Sequence, residues 1–79
     1  MIWTVQIGRA VLCDVVAAIL RRPDSSQYED VVITILSLVL YPSEVLATEE
    51  GVKSFLSQYV DIGECFEEHV QKVKDAGST

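Results

Sequence analysis

The sequence is poor in the groups that bind phosphate. Six of its 79 residues are Lys or Arg, against twelve Asp or Glu, for a net charge of −6. The six are scattered, whereas a nucleic-acid surface needs clustered cations. Nucleic acid is therefore not expected as a partner. Glycine is sparse too: Gly8, Gly51, Gly63 and Gly77 stand apart, so no phosphate-cradling loop can be drawn. Two cysteines, Cys13 and Cys65, cannot make a disulfide scaffold. They read as free thiols packed as small hydrophobes; a single bridge would need an oxidising compartment. The uncharged run Val31–Tyr41 has 11 residues, well short of the roughly 20 that span a bilayer. The start, Met1–Gln6, lacks the basic stretch of a secretory signal. A cytoplasmic chain without a transmembrane segment is expected.

What the chain does have is aliphatic side chains. Hydrophobic residues make up 49% of it, which excludes intrinsic disorder. A chain this short buries only about 60% of the surface its unfolded form exposes. Either the core is unusually rich, or another chain covers part of the apolar surface. No repeat or linker divides residues 1–79, so a single helical domain is expected. Breaks at Pro23–Ser26, Tyr41–Ser43 and Asp61–Gly63 leave four segments.

The last two segments have one-sided helical patterns. Val52, Phe55, Leu56, Tyr59 and Val60 form one stripe of 3.6-residue period, with Thr48 as a cap and Glu49 and Glu50 in the first turn. Glu49 and Lys53 have the spacing of a helical ion pair. Ile62, Cys65, Phe66, His69, Val70 and Val73 form the second stripe, with Asp61 and Glu64 at capping-box spacing. The segment around Val31–Tyr41 has the β-branched content of a strand. Yet Asp30, Thr34, Ser37 and Tyr41 line up at helical spacing, Ser26 and Glu29 have capping-box spacing, and Pro42 supplies a stop. Helix is the better account. The first segment, about Ile2–Arg22, is aliphatic around most of its circumference, with one thin stripe of Gln6, Arg9, Ala10, Cys13, Asp14, Ala17 and Arg21. Its opening, Trp3–Gly8, also alternates with period two, leaving a short strand hinged at Gly8 as the alternative. The expected fold is all-α: a four-helix bundle or two packed helical hairpins.

Four short helices cannot bury two of their number on all sides, and contiguous apolar surface left over marks an interface. The expectation is a protein–protein interaction module, an adaptor or small inhibitor, assembling as a homodimer or with a different protein. Candidate interface residues are Val11, Val15 and Ile19 on the first helix and Val32, Ile35, Leu36 and Val39 on the second. Trp3 and Tyr28 are added as aromatic anchors. A compact monomer would satisfy the same pattern, and a carrier enclosing a hydrophobic ligand on dimerisation is the alternative function. The second half carries the acidic excess. Glu49, Glu50, Glu64, Glu67 and Glu68 are candidates for an acidic surface; the simpler account is a solvated face.

No catalytic, cofactor-binding or metal constellation emerges. Cys65 and His69 lie four apart on one helix face, a spacing that can pair a thiolate with an imidazole. Packing beside Phe66 and Val70 accounts for them more simply. Zinc would need two further ligands, and there is no other histidine. The chain is expected not to be an enzyme.

Overall fold

Thr4 lies in extended backbone, φ −131° and ψ 168°, and its hydroxyl accepts the Ile7 N–H. That cap opens α1, Val5–Leu20. In a computed structural model describing residues 2–62 and 65–77, four helices follow one another, with no strand among the described residues. The all-α expectation holds. The period-two alternation of Trp3–Gly8 does not become a strand, because the Thr4 cap starts the helix four residues before Gly8.

Gly8 is no hinge. It is buried inside α1, and a Cβ there would lie 2.8 Å from the Leu46 carbonyl oxygen. The same oxygen accepts a hydrogen bond from Trp3 Nε1 at 3.0 Å. Leu46 belongs to a 3-10 turn, Glu44–Ala47, which the sequence pattern does not reveal.

A first 3-10 turn, Ser25–Tyr28, precedes α2, Glu29–Leu40. Ser26 therefore does not cap α2: Gln27 N–H bonds the Asp24 carbonyl, winding the chain through Ser26 before the helix begins. Tyr28 stands at the cap position with no side-chain bond. Within α2, the hydroxyls of Thr34 and Ser37 fold back onto the carbonyls of Asp30 and Ile33.

In α3, Glu49–Ser57, Thr48 Oγ1 accepts the Gly51 N–H at 3.0 Å, so this cap forms as the sequence indicates. The helix stops before Tyr59 and Val60, which continue as a turn bonded to the Leu56 carbonyl. Lys53 makes no ion pair with Glu49; its Nζ lies 5.9 Å from the centroid of the Phe66 ring. The last helix, α4, spans Cys65–Gly77. The Asp61–Glu64 capping box involves Glu64, which lies outside the described residues.

The core explains why α1 is so apolar. It packs against α2, α4 and the second 3-10 turn, and lightly against α3. Val11, Leu12, Val15, Val16 and Ile19 meet Val32, Ile35 and Val39 from α2, Leu46 from the turn, and Val52, Leu56, Phe66 and Val70 from α3 and α4. Burying one such side chain contributes about 1.5–3 kcal/mol. The apolar circumference of α1 is thus covered mostly from within the chain.

Candidate functional site

Eight of the nine residues singled out as interface candidates are buried or half-buried parts of this core. Val11, Val15, Ile19, Val32, Ile35 and Val39 are all buried. Trp3 is half-buried and tied to Leu46. Tyr28 is half-buried as well, with the Arg22 guanidinium 4.9 Å over its ring. That guanidinium is also hydrogen-bonded to Asp24, a bond that raises its pKa above the ordinary arginine value. Only Leu36 is exposed.

Leu36 belongs to a different stripe. On the outer face of α2, Ile33, Leu36 and Leu40 are 62%, 39% and 69% exposed, and Tyr41 just beyond is 78% exposed. Residues 33, 36, 37 and 40 fall on one side of a helix of 3.6-residue period. Ser37, in the middle, keeps its hydroxyl on the Ile33 carbonyl and presents little bulk. Between Val31 and Ser43 there is no charged residue; Glu29 and Asp30 mark the N-terminal end. The sequence pattern of Asp30, Thr34, Ser37 and Tyr41 identified the side facing water. It did not show that this side extends over Ile33 and Leu40, although their spacing from Leu36 was visible.

A second locus is the seam between α1 and α4. Asp14 is the only acid within Ala10–Leu20, and His69 is the only histidine. His69 is buried and donates Nδ1–H to Asp14 Oδ2 at 2.5 Å, with Lys72 Nζ 4.0 Å from the same oxygen. A carboxylate can only accept, so Nδ1 carries the proton. A lone acid in an apolar run and a lone histidine on an apolar stripe were the available signals. Their pairing across 55 positions was not legible. Cys65 is exposed and makes no hydrogen bond with His69. Cys13 is exposed as well, so both thiols are free but not packed as core hydrophobes. No group of three or more metal-ligating side chains occurs among the described residues.

Beside the Asp14–Lys72 contact runs an open groove of about 640 Å³, walled by small or aliphatic residues including Ala10, Cys13, Ala17, Val73 and Ala76. Of the acidic candidates, Glu49, Glu50 and Glu67 border one cleft that Lys53 also lines. Glu68 is exposed on α4, and Glu64 lies outside the described residues. No described helix is long and apolar enough to cross a membrane. Comparison with protein-family models, curated proteins and solved structures finds no match for this chain.

Proposed function

We propose that the protein is a non-enzymatic protein–protein interaction module, of the adaptor or small-inhibitor kind, whose contact surface is the outer face of α2. One observation carries this: Ile33, Leu36 and Leu40 stand in water along a single uncharged helix face. Apolar surface gathered in this way, and not dispersed, favours cover by another chain. α1 is no longer part of the proposed surface, since its apolar residues are largely occupied inside the chain. A reducing cytoplasm suits the two exposed thiols.

The experiment compares the native size of the wild-type chain and of the double variant Ile33→Glu, Leu40→Glu, both purified and in an extract of cells that make it. The wild type should migrate as an assembly in at least one setting, and the variant as an 8.8 kDa chain in both. Identical monomeric migration of the two everywhere would remove the proposal.

The groove between α1 and α4 supports a second reading, a carrier of a small apolar ligand. Its volume lies within the usual ligand-pocket range of about 300–1,000 Å³. Saturable binding of one fluorescent fatty acid per chain, abolished by Ala10→Trp, would favour it over the interaction module. Non-saturable partitioning of the probe would dismiss it.

A further inference from the structure

Resting on the assignment of the α2 face as the contact surface, we infer that its occupant is a second copy of this chain, with the two α2 helices antiparallel about a twofold axis beside Ser37. Three features point to that partner. The first is area. Ile33, Leu36, Leu40 and Tyr41 together leave about two and a half large side chains bare, on the order of 400 Å². A standard interface takes roughly 800 Å² from each partner, a little over half of it apolar. The face therefore supplies about the apolar area that one side of a small dimer needs.

The second feature is self-complementarity. Antiparallel pairing about the midpoint of the stripe sets Ile33 against Leu40 of the other copy, and Leu40 against its Ile33. The large Leu36 then meets the small Ser37. The same four positions of each copy thus face one another, large with large at the two ends and large with small at the centre, as a twofold interface allows.

The third feature is charge. Glu29 and Asp30 occupy only the N-terminal end of the face, and no charge follows until Glu44. A parallel pair would stack four carboxylates at one end. The antiparallel pair separates the two Asp30 positions by about 20 Å along the axis, beyond the Debye length of about 8 Å at physiological salt. Helix dipoles also oppose favourably in this arrangement. Each chain carries −6, so added salt screens the repulsion between copies and should strengthen the dimer.

Orientation and partner are tested together by cysteine trapping of the full chain, with Cys13 and Cys65 replaced by Ser. In this background, Ser37→Cys should give a disulfide-linked dimer on mild oxidation and Asp30→Cys should not, since bridged Cα atoms must lie within about 7 Å. Light scattering across a hundredfold concentration range should give twice the chain mass, with tighter association at 0.5 M than at 0.05 M NaCl. Leu40→Glu should return it to the single-chain mass with its helical circular dichroism intact. Trapping at Asp30 but not Ser37 would overturn the antiparallel pair and leave the α2 face as a contact surface. A purified wild type that stays monomeric throughout, yet runs as an α2-dependent assembly in extract, would overturn the second copy and retain that surface. A wild type that is monomeric in both settings would remove the surface as well.

Discussion

Asp14 offers the sharpest test at the scale of one residue. His69 is buried and its Nδ1–H has a single acceptor, so removing the carboxylate leaves a polar ring in an apolar seam. Asp14→Ala should cost about 1–3 kcal/mol in urea unfolding, the usual penalty for an orphaned buried group. Replacing both partners, Asp14→Leu with His69→Leu, should be less damaging than Asp14→Ala alone, because no polar group is then stranded. A double variant weaker than the single would mean that the pair contributes more than mutual satisfaction. Cys65 is expected to be replaceable by Ser at little cost, since its side chain is exposed and unbonded.

Caps govern the next scale up, and the two candidate caps separate cleanly. Thr48 Oγ1 holds the Gly51 N–H, whereas Ser26 sits within a 3-10 turn and caps nothing. Thr48→Ala should therefore lower stability by about 1 kcal/mol. Ser26→Ala should stay within about 0.5 kcal/mol of wild type. Thermal or urea midpoints measured side by side decide it; equal losses would show that the turn at Ser26 is replaced by a true cap in solution. This pair also marks how far the sequence could be read. The one-sided stripes of α3 and α4 and the polar line along α2 were legible, because periodicity records which side of a helix meets water. The Ser26–Glu29 spacing misled because capping also needs extended backbone at the cap residue, and the turn from Asp24 denies it. A related limit applies to the α1 candidates for a contact surface, which the fold places in the core. Val11, Val15 and Ile19 are as apolar as an interface requires, but only the three-dimensional arrangement shows that α2, α4 and the second turn already surround them. Hydropathy reports what a side chain avoids, not what covers it.

For the whole molecule, the position of α1 orders its stability. α2 and α4 each pack chiefly on α1, and the second turn packs on α1 as well as on α3, so most of the packing between elements goes with α1. α4, by contrast, can separate from one neighbour and leave most of the core in place. Native-state hydrogen exchange should therefore find α1 amides opening only with global unfolding, and α4 amides opening at lower free energy. Slower exchange in α4 than in α1 would contradict this order. A helix so evenly aliphatic also has a problem of register: slid by one turn along its neighbours, Val, Leu and Ile would exchange places with one another at little loss. Two polar fixings prevent the slip. A shift of four residues would bring Ala10 or Ala18 to the place of Asp14 and leave His69 without its acceptor. The same shift would press Thr4 or Leu12, in place of Gly8, against the Leu46 carbonyl that Trp3 holds still. The greasiest helix of the chain is thus positioned by its few residues that are not greasy.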